Sequence, residues 1–252
     1  MRVFCGFDNL PQFTNAVATM GSFDGVHGGH RVLLNRVKQR AQSIGGESIV
    51  LTFHPHPRYV LGTAEDMKLL STLDEKIWLL DKIGIDNLIV IPFTVEFSHT
   101  SPEQFIAENI AAIGIKWLIV GYNHRFGYQK QGNYNLLESC RGSINIEMVE
   151  QQHISESKVS STIIRQQIES GAMGEASKLL SHPYVVMCVV GEDSELAVMD
   201  EHKLLPPAGE YDAMVDGRSA ILSIDEKRKL KLTMNEEGLE FTVNDKVIIE
   251  IK

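Results

Sequence analysis

The stretch "TMGSFDGVHGGHRVLL" (residues 19–34) sets two histidines, four glycines and an aspartate where an apolar run meets a helical pattern. The run before it, "AVATMG" (16–21), has the length and composition of a strand, and helical spacing begins near Gly28, so the polar cluster is a strand-to-helix junction. In an open parallel sheet, ligands bind beyond the carboxyl ends of strands, near the point where strand order reverses. Gly21, Gly25, Gly28 and Gly29 let backbone amides approach a ligand, and the helix start offers free N–H groups and a positive dipole end to an anion. His27 and His30 are three residues apart, on one side of the first helical turn, where both are placed to donate to phosphate. The chain has no G-x-x-x-x-G-K-[ST], and no G-x-G-x-x-G follows a strand, which leaves out the ordinary P-loop and the dinucleotide fingerprint. By itself H-x-G-H is a short motif that arises by chance, and a capped turn accounts for it equally well. Its place at the junction favours a site.

Outward from this stretch, short β-branched runs alternate with amphipathic segments. "SIVLTF" (48–53), "NLIVIPF" (87–93), "KWLIVG" (116–121) and "NIEMV" (145–149) suit strands covered on both faces. "TLDEKIWLLDKIG" (72–84) begins with Thr72 and Glu75 as a capping box and stops at Gly84. "SPEQFIAENIAAIG" (101–114) has Ser101 as cap, Pro102 in the first turn and Gly114 as terminator. This β-α-β-α series predicts an α/β fold, a parallel sheet with helices on both faces. After helical patterns at 159–171 and 173–181, the texture changes at His182-Pro183. "EYDAMV", "SAILSI", "KLKLTM", "LEFTV" and "VIIEI" then read as an antiparallel sheet, with "NEEG" (235–238) as a turn. A boundary is expected there, dividing the chain into 1–182 and a small β domain, 183–252, that leans on the first for stability.

Of the 252 residues 43% are hydrophobic, enough for a substantial core, and the net charge of −9 argues against a nucleic-acid partner. The short basic cluster "DEKRKLKL" (225–232) reads as a solvated strand edge. Cys5, Cys140 and Cys188 are odd in number and far apart, without metal-ligand or disulfide spacing, which fits a reducing cytoplasm. No signal-length or membrane-spanning apolar block is present in the sequence, so no membrane is expected.

Three further segments carry the same chemistry. "VSSTIIR" (159–165) opens a helix with hydroxyls at Ser160, Ser161 and Thr162 and sets Arg165 about one turn on, so hydroxyls and a guanidinium meet one anion. "FHPHPR" (53–58) and "VGYNHRFGYQKQGN" (120–133) each follow a strand and combine rigidity, aromatics and cations, which suits a flat anionic ligand. Each alone is a plain cap or loop. Four of them, all after strands or opening helices, point to one site.

In this order, "GSFDGVHGGH", "FHPHPR", "VGYNHRFGYQKQGN" and "VSSTIIR…GAMGEASKLLSHPY" closely resemble the prokaryotic FAD synthetase family, whose usual form is a bifunctional riboflavin kinase and FMN adenylyltransferase. The resemblance spans about residues 15 to 185. It implies a Rossmann-like nucleotidyltransferase domain in which Mg2+-ATP and FMN give FAD and pyrophosphate, by direct displacement and without protein side chains on the metal. By resemblance, His27, His30 and Arg165 are catalytic. Gly21, Ser22, Phe23, Asp24, Gly25, Ser160, Ser161 and Thr162 complete the ATP site, and Pro55, His56, Pro57, Arg58, Asn123, Arg125 and Phe126 form the FMN side. Two positions depart from the family pattern: Asn123 replaces the usual aspartate and His124 a common phenylalanine. The G-x-x-x-G-R and P-T-A-N sequences of the family's kinase barrel are absent. "LLPPAGEYDAMVDG" (204–217) is similar to that barrel's L-P-x-G-x-Y stretch, so a shortened remnant without kinase activity is expected. Two other readings stand beside FMN adenylyltransferase: transfer to another phosphorylated acceptor, and a flavin- or nucleotide-binding protein without catalysis.

Overall fold

A computed structural model describes residues 1–140, 142–150, 153–154, 157–192, 195–235 and 241–252. They form two compact units. One comprises Met1–Phe23, Gly29–Asp66 and Leu79–His153; the other comprises Asp24–Gly28, Met67–Trp78 and Ile154–Lys252. The chain passes from one to the other inside the opening stretch.

The first unit is built on a six-stranded parallel sheet. Its strands are β1 (Arg2–Cys5), β2 (Val17–Met20), β3 (Ser48–His54), β4 (Asn87–Pro92), β5 (Trp117–Gly121) and β6 (Asn145–Val149), in the order β1-β4-β3-β2-β5-β6. β2 pairs with β3 on one side, Val17 opposite Ser48, and with β5 on the other, Val17 opposite Trp117. Strand order reverses at β2, so the loops after β2, β3 and β5 leave the same carboxyl edge around a switch point. The α/β expectation holds, as do the five strands read between residues 16 and 149. β1 is an addition: "RVFC" is short, and only its parallel ladder with β4, Arg2 opposite Asn87, makes it a strand.

The helical stretches α1 (Gly28–Ser43), α2 (Pro57–Val60), α3 (Leu73–Ile83) and α4 (Val95–Ser98) follow in order. A continuous helix then runs through α5 (Pro102–Gln104), a π-helical stretch (Phe105–Ile110) and α6 (Ala111–Ile113), before α7 (Tyr134–Cys140). The end signals act as read. Thr72 N–H donates to Glu75 at 2.9 Å, Glu75 N–H donates to Thr72 Oγ1 at 3.3 Å, and Gly84 takes φ +82°. Ser101 Oγ accepts from Gln104 N–H at 3.1 Å, and Gly114 closes α6 at φ +72°. The core of this unit gathers Ile49, Leu51, Ile89, Ile91, Leu118 and Val120 of the sheet with Phe105, Ile106 and Ile110.

The second unit carries short strands β7 (His153–Ile154, His153 lying in the first unit) and β8 (Ser157–Lys158), then helices α8 (Ser161–Glu169) and α9 (Met173–Leu180). A closed six-stranded antiparallel barrel follows: β9 (Tyr184–Val190), β10 (Leu196–Val198), β11 (Gly209–Val215), β12 (Arg218–Ile224), β13 (Leu230–Met234) and β14 (Lys246–Ile251). β9 was not among the strands read from the sequence. It is an unbroken apolar run, buried along nearly its whole length, and closes the barrel against β14 with Tyr184 opposite Ile251. "LEFTV" is a correction. Residues 241–243 are not a strand, because Thr242 donates N–H and Oγ–H to Asp245 and Asn244 takes φ +74°, a turn that delays the strand to Lys246. Leu239, Glu240 and residues 236–238 of the expected "NEEG" turn lie outside the described residues. The basic cluster spans the turn between β12 and β13, where Asp225 Oδ1 accepts from the N–H groups of Lys227 and Lys229, each at 2.8 Å. Among the described residues, no helix is long and apolar enough to cross a membrane.

Candidate active site

In the second unit the Asp24 carboxylate, 3% exposed, is the organising group. Its Oδ1 accepts from Leu70 N–H at 3.0 Å and Ser71 N–H at 3.1 Å, and its Oδ2 pairs with the Arg165 guanidinium. Arg165 Nε–H donates to Lys68 O at 2.6 Å. The start of α8 meets the same loop: Ser161 Oγ–H donates to Asp24 O at 3.3 Å, while Ser160 Oγ accepts from Ile163 N–H as the N-cap, at 3.4 Å. Thr162 is exposed. The aspartate of the opening stretch and the hydroxyl-arginine segment, 141 residues apart, are thus brought together.

Gly25 is required where it stands. Its φ is +76°, and a Cβ there would lie 2.9 Å from Leu70 Cβ. Its N–H donates to Ser71 Oγ at 2.8 Å, and His182 Nε2 lies 3.0 Å from its carbonyl oxygen. His27 precedes α1 and is 8% exposed. Burial pushes its imidazole down to about 4, against the opposing pull of Asp24, so it is neutral at pH 7.

In the first unit, the loop after β2 is held by Gly21 N–H on Leu51 O at 3.1 Å and Thr52 Oγ1–H on Ser22 O at 3.3 Å. Phe23 is buried at φ +46° and meets the His30 ring edge-on, centroids 5.2 Å apart, in the first turn of α1. After β3 come Pro55, His56, Pro57 and Arg58. His56 Nδ1 caps α2 by accepting Arg58 N–H at 3.3 Å, and Arg58 Nε–H donates to Thr63 O at 3.1 Å. After β5, Asn123 and Arg125 are exposed, Phe126 is buried, and His124 stacks on Phe126 at 5.7 Å. Burial first, and then Arg125, push His124 down to about 4.

A row of aromatic rings joins these two loops. Phe53–Phe93, Phe93–Phe97, Phe97–Phe105 and Phe105–Phe126 have centroids 5.7, 5.8, 6.1 and 6.0 Å apart. Such pairs pack better than their area alone implies, which makes the row a rigid backing for both loops.

A family profile for FAD synthetase matches residues 10–163. The FAD synthetase of Listeria monocytogenes is 32% identical over 89% of this chain and 89% of its own length. The chain belongs to the FAD synthetase family. The bifunctional riboflavin kinase/FMN adenylyltransferases of Listeria monocytogenes and Bacillus subtilis are 35% and 30% identical over 68% and 78% of this chain. It spans only 55% and 66% of their respective lengths. A macrolide-efflux protein from Streptococcus pneumoniae superposes with a TM-score of 0.85 over 100% of this chain and 90% of that one, at 21% identity, a likeness of fold.

The described residues contain no group of three His, Cys, Asp or Glu side chains placed to hold a metal. Asp24, the carboxylate beside Arg165, is occupied by two N–H groups and that guanidinium, an arrangement that does not suit a cation. Sequence reasoning missed Lys203, 2% exposed, which pairs with Glu75 at 2.7 Å. The capping box exposes the local role of Glu75, but no periodicity links it to a lysine 128 residues away.

Proposed function

We propose that this member of the FAD synthetase family is an FMN adenylyltransferase that moves AMP from ATP to FMN, releasing pyrophosphate. A phosphate oxygen of FMN forms a bond to the ATP α-phosphorus, and the bond from that phosphorus to the oxygen bridging to the β-phosphate breaks in line. FMN phosphate is already anionic at neutral pH, so the task is to align two anions and stabilise charge growing on the α-phosphate and the leaving group. In this reading His27 and His30 donate to the ATP phosphates. Gly21, Ser22, Phe23, Asp24 and Gly25 shape the nucleotide pocket, and Ser160, Ser161, Thr162 and Arg165 grip the triphosphate. Pro55, His56, Pro57, Arg58, Asn123, Arg125 and Phe126 serve the flavin. A bound polyanion pulls the neutral His27 back toward its charged form. Mg2+ arrives on the nucleotide, and the chain holds the phosphates.

The observation that carries this reading is the Asp24–Arg165 pair, which ties the Asp24–Gly28 part of the opening stretch to the hydroxyl-arginine segment within one compact unit. We assign the chemistry to residues 1–182 in a cytoplasmic enzyme, and read 183–252 as a kinase-like barrel without kinase activity. Incubation with ATP, Mg2+ and FMN should yield FAD and an equal amount of pyrophosphate, while riboflavin with ATP should yield no FMN. The exposed Asn123 favours a second reading, adenylyl transfer to another phosphomonoester. Turnover of such an acceptor with no FAD formed would select it.

A further inference from the structure

Residues 68–71 are held on one side by residues 201–204 and hold the Asp24–Arg165 pair on the other, all within the second unit. On the first side, Leu69 N–H donates to His202 O at 2.7 Å and Leu204 N–H to Leu69 O at 2.9 Å. Lys68 Nζ donates to Glu201 O at 3.1 Å, and Lys203 Nζ to Leu70 O at 2.7 Å. On the other side, Lys68 O receives Arg165 Nε–H, Leu70 and Ser71 give their N–H groups to Asp24, and Ser71 Oγ receives Gly25 N–H. Lys68, Leu70 and Ser71 touch the site, and Lys68, Leu69 and Leu70 are tied directly to 201–204.

Lys203 anchors this arrangement. Its ammonium also donates to Glu75 Oε2 at 2.7 Å and Val185 O at 2.6 Å, and lies 4.1 Å from the Tyr184 ring centroid. Glu75, 0% exposed, also accepts Met187 N–H at 2.8 Å and Thr72 N–H at 2.9 Å. Both charges are therefore matched by several directed bonds. A buried ion pair adds little stability over apolar residues of the same volume, so its value lies in the geometry it imposes. Here that geometry is the carbonyl side of Leu70, whose N–H fixes Asp24.

We infer that Lys203 is a positioning residue for Arg165: the 201–204 segment holds residues 68–71 in the one place from which Asp24 and the Lys68 carbonyl aim the guanidinium. The inference rests on the reading that Arg165 binds ATP. It gives the barrel part, 183–252, a task in the proposed adenylyl transfer although that part lacks the kinase sequences.

The test is a double-mutant cycle on the full chain, with Mg2+-ATP binding followed by calorimetry in the absence of FMN. Lys203→Met should weaken ATP about tenfold, the scale of one hydrogen bond to a charged group. In the Arg165→Ala background the same change should alter ATP affinity by less than about twofold, since coupled residues are non-additive. An equal factor in both backgrounds, or no effect in either, overturns the inference. Should Lys203→Met fail to fold with Glu75 left unpaired, Lys203→Met/Glu75→Gln removes both charges and enters the same cycle. A ligand-free readout separates this inference from the proposed function. The Arg165 Nε–H proton, followed by NMR, should exchange about tenfold faster in the charge-free variant as its acceptor is released. Unchanged exchange overturns the positioning role even if ATP binds, whereas faster exchange in a protein that never binds ATP supports it and refutes only the ATP reading.

Discussion

Asp24→Asn isolates the charge of the carboxylate from its shape. The amide oxygen of asparagine still accepts from Leu70 and Ser71, now at 3.0 and 3.1 Å, so both backbone bonds survive. What is lost is the bond to the Arg165 guanidinium, whose side chain is 13% exposed, and the new NH2 group turns a donor toward a donor. A hydrogen bond to a charged group is worth about 1.5–3 kcal/mol, and breaking a buried pair from one side costs about 3–5 kcal/mol because the other charge is stranded. The partial exposure of Arg165 sets the expectation at the lower end, about 3 kcal/mol. For a chain of this size that is a fall of about 6–12 °C in Tm by scanning calorimetry. Arg165→Met strands Asp24 instead and should cost a similar amount. The double variant strands neither charge, so it should fall short of the sum by about 2 kcal/mol. A Tm drop below about 2 °C for Asp24→Asn, or strict additivity in the double variant, would refute the argument that this pair organises the loop.

Three further outcomes are expected. His30→Ala should lower kcat for FAD formation by about a hundredfold, the scale of one lost transition-state donor, and an unchanged kcat removes it from catalysis. For His27, the folded value of about 4 lies below the unfolded 6.5, so between these pH values the unfolded chain binds more protons. Its stabilisation, about 3 kcal/mol, is fully present above pH 6.5 and is lost as pH falls toward 4; His27→Gln should flatten denaturant-derived stability across that window, and an unaltered slope contradicts the burial argument. Gly25→Ala forces a left-handed φ on a residue with a Cβ 2.9 Å from Leu70 Cβ, and should cost roughly 2–4 kcal/mol by urea unfolding; a neutral result means the loop relaxes freely.

Much of the fold is readable from local pattern. Apolar runs of strand length, the Thr72–Glu75 box, the Ser101 cap and the stops at Gly84 and Gly114 depend on neighbours within a few residues, and the structure repeats them. β1 and β9 escaped because their strand character comes from distant ladders, with β4 and β14, rather than from alternation. "LEFTV" misled in the opposite direction: its alternation is real, but the Thr242–Asp245 turn claims its last residues.

The same division runs through the site. The sequence by itself determined that glycines, histidines, hydroxyls and an arginine stand at strand ends and helix starts, because dipoles, caps and backbone freedom are properties of a single turn. Only the tertiary structure decided that the Asp24 carboxylate faces Arg165, that Glu75 caps its own helix and also meets Lys203, and that residues 68–71 join the two arrangements. The two ion pairs span 141 and 128 residues. A buried charge must find a partner wherever the closed chain offers one, and no local periodicity records which one that is.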